Sequence, residues 1–171
     1  MTQRVLSLWM KVIIILFAVC GIAIFFVAVP FIGNDFVKGY PEYAYCFLPW
    51  LVFIDLMAIP CYIVLGYAWR VAQSISKEEA FTKKNSQRLK SVSVLSLVTS
   101  IYFFIGNMVF LLLSMNHPSI FVLSCICIFI GVSIAVASAV LSYLVNKASD
   151  LQEQSDLTIW GELWKVRLFS I

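Results

Sequence analysis

The stretch VIIILFAVCGIAIFFVAVPFI, residues 12–32, runs for 21 positions without a charged side chain. Crossing about 30 Å of hydrocarbon takes about 20 apolar residues at a rise of 1.5 Å each. Core helices of soluble domains are usually shorter and keep a polar face. Three further stretches, residues 47–69, 92–115 and 119–145, have the same character, and Asp55 is the one formal charge that falls inside any of the four. The pattern predicts an all-α polytopic membrane protein, a four-transmembrane-helix bundle. These spans fill a single membrane domain over residues 1–159, with a loop at 70–91 and a tail at 160–171. The first run is expected to be an uncleaved span, because it exceeds the usual signal-peptide core and no clear small-x-small site follows before Pro30.

Composition agrees. Of the residues, 62% are hydrophobic and 12% charged, against about 45–50% and 25% in a soluble domain, and mean hydropathy is +0.96. The net charge of +3 does not imply direct nucleic-acid binding, since the basic residues gather beside span ends, where anionic lipid attracts them. The bilayer is therefore the first partner.

Orientation follows from the same residues, because Lys and Arg near span ends are retained inside. Of the 12 Lys and Arg, all but Lys38 fall before span one, between spans two and three, or after span four. Both termini are predicted cytoplasmic. Trp9, Tyr40, Tyr43, Tyr45, Trp50, Tyr67, Trp69 and Tyr143 gather at the expected interfaces, where amphipathic rings are favoured. Gly33, Asn34, Asp35, Gly39 and Pro41 predict an irregular outer loop.

The residues supply no cofactor site, no metal site and no adjacent nucleophile and base, so no enzyme activity is expected. Four of the five cysteines lie in apolar runs and behave as small hydrophobes. Cys125 and Cys127 project about 200° apart on a helix and cannot converge on one zinc. Asp55 is different. A carboxylate near the membrane centre costs about 2.5–3.5 kcal/mol and needs a partner, a watery cavity or a proton. Helical rise sets it roughly 9 Å inward from Pro49 and sets Asn107 roughly 12 Å inward from Met115. A hydrogen bond between Asp55 and Asn107, with Ser124 at similar depth, is the expected intramembrane polar site, either as interhelical glue or as an ion, proton or ligand site.

Span four carries Gly131, Ala135 and Ala139 at four-residue intervals with Ser138 and Ser142, a small-residue strip that lets backbones approach. Intramolecular packing is the favoured reading and a homo-oligomer face the other. Pro30 and Pro60 are expected to end or kink their helices. Pro60, near Asp55, could open a small cavity. In the inner loop, Ser76 and Glu79 have capping-box spacing, so a helix should begin there and carry Phe81, Asn85, Leu89 and Val92 on one face. The tail, with Trp160, Leu163 and Trp164, reads as amphipathic or disordered.

The segment Glu79-Ala80-Phe81-Thr82-Lys83-Lys84-Asn85-Ser86-Gln87-Arg88-Leu89-Lys90 precedes span three, and Asp150-Leu151-Gln152-Glu153-Gln154-Ser155-Asp156-Leu157-Thr158-Ile159 follows span four. In these motifs and their topology the chain resembles the bacterial family called domain of unknown function 2975. The resemblance runs from span one to Ile159, and residues 160–171 depart from the usual family ending. It implies a multi-pass protein of the bacterial cytoplasmic (inner) membrane, with no established activity. It also implies a partner, since family members often look like one half of a pair with a small helix-turn-helix regulator. Phe81, Asn85, Arg88, Leu89, Asp156 and Leu157 are then the candidate cytoplasmic docking surface of a sensory or regulatory accessory. The rival readings are a small transporter, channel subunit or immunity protein using Asp55 and Asn107.

Overall fold

A computed structural model describes residues 3–77, 79–116 and 118–168. The first rod joins α1 (Gln3–Ala23), one π-helical segment (Ile24–Ala28) and α2 (Val29–Gly39); a 3-10 segment (Pro41–Cys46) leads into α3 (Phe47–Ser76), followed by α4 (Lys83–Leu112) and α5 (Pro118–Leu168). The described residues form four stretches long and apolar enough to cross a membrane.

Several boundaries differ from those expected, each for a local reason. Pro30 does not end the first span. The helix absorbs it by widening: Val29 N–H bonds to the Ile24 carbonyl, five residues back, and helix resumes as far as Gly39. The irregular connection expected between the first two spans, residues 33–46, is therefore shorter than predicted. The break comes at Tyr40, whose φ −134° and ψ 77° lie outside the helical region, as expected of a residue preceding a proline. Likewise, Ser76 ends α3 rather than starting a helix. The α4 cap is Thr82, in extended conformation, whose hydroxyl oxygen accepts from Asn85 N–H at 3.4 Å. Residues 83–112 then form one helix, with no separate surface segment before the span. Pro60 is accommodated inside α3.

The burial pattern is inverted relative to a soluble protein. Among the described residues, the buried polar set is Ser7, Asn85, Ser86, Ser100, Asn107, Asn116, Ser124, Ser138 and Ser142, while Leu16, Phe17, Phe26, Phe31, Leu48, Val122 and Phe129 are more than half exposed. Large apolar side chains need no protein cover where lipid solvates them, and packing between spans falls to small and hydrogen-bonding residues.

Close backbone approach is serial. The first rod approaches α3, α3 approaches α4, and α4 approaches α5; α5 comes within 8 Å, Cα to Cα, of no other helix among the described residues. Two faces of α3 are thus assigned to different neighbours. That division decides where Asp55 points.

Candidate functional site

The tightest seam joins α4 to α5. Ser86 donates to the Ser142 carbonyl and Ser142 to the Ser86 carbonyl, both at 2.8 Å, with the two hydroxyl oxygens 3.2 Å apart. Further along, a Cβ on Gly131 would collide with the Ser100 hydroxyl. Ser86, Ser93, Ser100 and Asn107 recur every seven residues on α4, as do Ser124, Gly131 and Ser138 on α5. A seven-residue repeat keeps one stripe on a neighbour as two helices coil together. Ala135 is buried in this stripe but Ala139 is exposed, so the contact follows the seven-residue repeat rather than four-residue intervals. Gly131, Ala135, Ser138 and Ser142 of the strip are spent on packing within the chain, whereas Ala139 is not.

Asn107, fully buried, closes the end of that seam farthest from Ser86 and Ser142. Its amide nitrogen donates to the Phe103 carbonyl at 2.8 Å, and its oxygen accepts from Ser124 Oγ at 2.8 Å and from Asn116 Nδ2 at 3.3 Å. Asn116 Oδ1 is itself buried and without a partner. The Asn107–Ser124 contact joins two of the three residues expected at the intramembrane site.

Asp55 does not join them. Phe53, two residues earlier, lies over Gly106 of α4 so closely that any Cβ there would overlap its ring. The same ring packs against Trp50, Tyr102, Phe103 and Phe110 at centroid distances of 5.0–6.0 Å. Trp50 also donates through Nε1 to the Met115 carbonyl at 3.3 Å. Two helical residues turn the chain by about 200°, so a helix that aims Phe53 at α4 aims Asp55 away from it. The expected Asp55–Asn107 hydrogen bond is therefore not formed: comparable depth was met, direction was not. Asp55 instead shares a face with Tyr62, seven residues on, whose hydroxyl donates to the Ala18 carbonyl of α1 at 3.1 Å. Asp55 Oδ1 is buried without a hydrogen-bond partner.

At the end bearing the chain termini, several candidate docking residues turn out to hold the fold. Asn85 is buried, and its side-chain nitrogen donates to the carbonyls of Glu79 and Ala80, both at 3.1 Å. Arg88 Nη1 donates to Asn85 Oδ1 at 2.9 Å, to Ser74 Oγ at 3.0 Å and to the Arg70 carbonyl at 3.2 Å, tying α4 to the last turns of α3. Leu89 is half-buried, whereas Phe81 and Leu157 are exposed. The Asp156 side chain lies outside the described residues. Lys83 pairs with Asp150 at 3.4 Å and Glu153 at 2.8 Å, beyond the apolar part of the spans. Its ammonium holds the Glu153 carboxyl below its usual range, and the carboxylates hold Lys83 above its own. All five cysteines are free thiols. No group of three or more His, Cys, Asp or Glu that could hold a metal occurs among the described residues.

The family model described as protein of unknown function (DUF2975) matches residues 31–159. The chain belongs to the DUF2975 family. An uncharacterized membrane protein of Bacillus subtilis (strain 168), YoaS, is 31% identical over 161 residues, covering 92% of this chain and 99% of that protein. No solved structure matches. The DUF2975 match includes both segments that carry the resemblance, 79–90 and 150–159, and ends at Ile159, so the last turns of α5 lie beyond it. This DUF2975 member is a bacterial multi-pass membrane protein.

Proposed function

We propose that the protein is a non-enzymatic regulatory accessory of the bacterial cytoplasmic membrane, with both termini inside, that docks a cytoplasmic partner on its terminus-bearing end. The observation that carries this reading is the reach of α5. Lys83, the first residue of α4, is paired with Asp150 and Glu153, yet α5 continues to Leu168. At 1.5 Å per residue the helix projects about 20 Å past the last helical turn of its neighbour. Leu151 and Leu157 are exposed on its described part, and Phe81 is exposed in the adjacent connection. The concentration of Lys and Arg at this end supports the inside orientation. Asn85 and Arg88 support the surface from beneath, by holding the connection that presents Phe81. The resemblance to the family favours a small helix-turn-helix regulator as the partner.

A photo-crosslinking residue placed at Phe81 or Leu157 in cells tests this directly. A discrete adduct with a small DNA-binding protein, absent when the probe sits at lipid-facing Val136, is the expected result. Adducts with lipid alone would overturn the docking assignment. Reporter fusions at Lys77 check orientation, and an exterior signal would overturn the inside placement. A second reading, a small transporter or channel subunit, is favoured by the unpartnered Asp55; flux through liposomes holding this protein alone, abolished by Asp55→Asn, would replace the first reading.

A further inference from the structure

The contacts between the first rod and α3 fix an antiparallel register. Ser7 donates to the Ala72 carbonyl at 2.8 Å, Tyr62 reaches Ala18, and Phe47 lies against Gly33. Between Ala18 and Gly33 the same register sets Phe25 across from Asp55. Phe25 sits four residues after Gly21, which faces the Tyr62 hydroxyl, and it is half-buried while Ile24 and Phe26 on either side are exposed. It therefore faces α3.

Phe25 lies inside the π-helical segment, and its carbonyl loses its helical donor for two independent reasons. The donor four residues on, Val29 N–H, is given to Ile24 instead. The position five residues on is Pro30, which has no N–H. Across the interface stands Asp55, with a buried oxygen that no donor meets. Pro60 likewise withholds a donor from the Leu56 carbonyl beside it. The Phe25 carbonyl and the Asp55 carboxylate are thus acceptors on opposite sides of one interface. A buried acceptor left unsatisfied is costly, and an unpaired carboxylate more so.

We infer that Asp55 and the Phe25 carbonyl form a binding site for a small monovalent cation, H+ or Na+. The counter-charge has to come from solution, because the spans contain no Lys or Arg. Within the apolar spans of the packed elements the titratable groups are Cys20 of α1, Cys61, Tyr62 and Tyr67 of α3 and Tyr102 of α4, none of them cationic; the cations of these elements, Arg4, Lys11, Arg70, Lys83, Lys84, Arg88 and Lys90, all lie toward the opposite end from Asp55. Toward the outer end stand Tyr40, Glu42, Tyr43, Tyr45 and Cys46, with Asp35 and Lys38 paired to each other at 3.4 Å. One carboxylate balances one positive charge, whereas a divalent ion would leave a net charge in hydrocarbon. With H+ bound, the Asp55 hydroxyl donates to the Phe25 carbonyl; with Na+, carboxylate and carbonyl oxygens share the ion. The site is independent of the docking surface and of whether any ion is moved across the membrane.

The test uses the full chain in phosphatidylcholine–phosphatidylglycerol nanodiscs at about pH 8, where ordinary carboxyls are ionised. Infrared spectra and thermal unfolding are recorded in NaCl and in choline chloride of equal ionic strength, for the wild type, Asp55→Asn and Pro30→Ala. A protonated-carboxyl band lost in Asp55→Asn and indifferent to Na+ identifies H+. A carboxylate band that shifts with Na+, with an unfolding temperature that rises with Na+ in the wild type, rises less in Pro30→Ala and does not respond in Asp55→Asn, identifies Na+. Pro30→Ala restores an N–H and is expected to keep the helix content while weakening the occupant about tenfold, the lower end of what losing a supporting group costs an ion site. An ionised carboxylate indifferent to Na+, spectra unchanged in Asp55→Asn, or Pro30→Ala indistinguishable from wild type would overturn the site.

Discussion

Phe53 and Gly106 show how much a single pair of residues decides. The ring fills the space a side chain on Gly106 would take, so Gly106→Ala has to push a buried aromatic away from four neighbouring rings. Overpacking of this kind costs about 1–3 kcal/mol, and equilibrium unfolding in mixed micelles should show a loss in that range. Phe53→Leu combined with Gly106→Ala should recover part of it, since residues in contact are not additive. Asn107 makes a second residue-level case: Asn107→Leu removes the acceptor that Ser124 and Asn116 use and should cost about 1 kcal/mol, the scale of interhelical hydrogen bonds in membranes. A loss too small to measure would mean that Asn116 and Ser124 find other partners. The same residues show where the sequence was legible. That Asp55 falls inside a span and that Asn107 and Ser124 stand at comparable depth could be read from charge and helical rise. The direction of Asp55 could not, because depth counts rise along the axis and ignores the turn about it. The signal for direction was present in the seven-residue spacing of Asp55 and Tyr62, but it becomes readable only once Phe53 is known to face α4.

At the scale of elements, the spans were visible because hydrocarbon imposes length and apolarity on any helix that crosses it. Their ends were not, because ends are set by single donors and acceptors. Thr82 rather than Ser76 starts α4, and the π-helical segment carries span one past Pro30, a result of one missing N–H that hydropathy does not register. The extension of α5 is held on α4 by Lys83 with Asp150 and Glu153, all exposed, so the tether should respond to pH and salt while the seam below it does not. Glu153 is held low in the folded state, so its contribution is present above about pH 4.3 and is lost as the pH falls through its lowered value. Lys83 is held high, so its contribution is present below about pH 10.4 and is lost as the pH rises through its raised value. The tether is therefore closed between about pH 5 and pH 10, and screening at about 1 M salt should loosen it throughout. Amide exchange around Leu151 should quicken on either treatment, and in Lys83→Gln at neutral pH, with exchange near Ser86 and Ser142 unchanged. Equal exchange in wild type and Lys83→Gln would show the pairs to be without consequence for the extension.

For the whole molecule, the serial order of close approach separates this arrangement from a closed bundle, in which the first and last spans would also meet. The distinction is measurable by cross-linking once the five free cysteines, Cys20, Cys46, Cys61, Cys125 and Cys127, are replaced by alanine. Ser86→Cys with Ser142→Cys should oxidise readily, because the two hydroxyl oxygens are 3.2 Å apart across the seam and a disulfide needs side chains that already face each other. The informative pair is Leu16→Cys with Val136→Cys. Following the contacts from helix to helix, Leu16 lies level with Val64, Val64 with Leu95 and Leu95 with Val136, so the two sites share a depth while sitting on opposite flanks. Both are more than half exposed, and lipid rather than protein should cover them. No intramolecular disulfide is expected between them in native membranes. An efficient Leu16–Val136 cross-link within one chain would mean that the spans close into a ring, which would bring α5 to the flank of α1 and change which groups stand around Asp55. A cross-link between two chains would instead show these flanks to be an interface between copies, with the α4–α5 seam still buried inside each one.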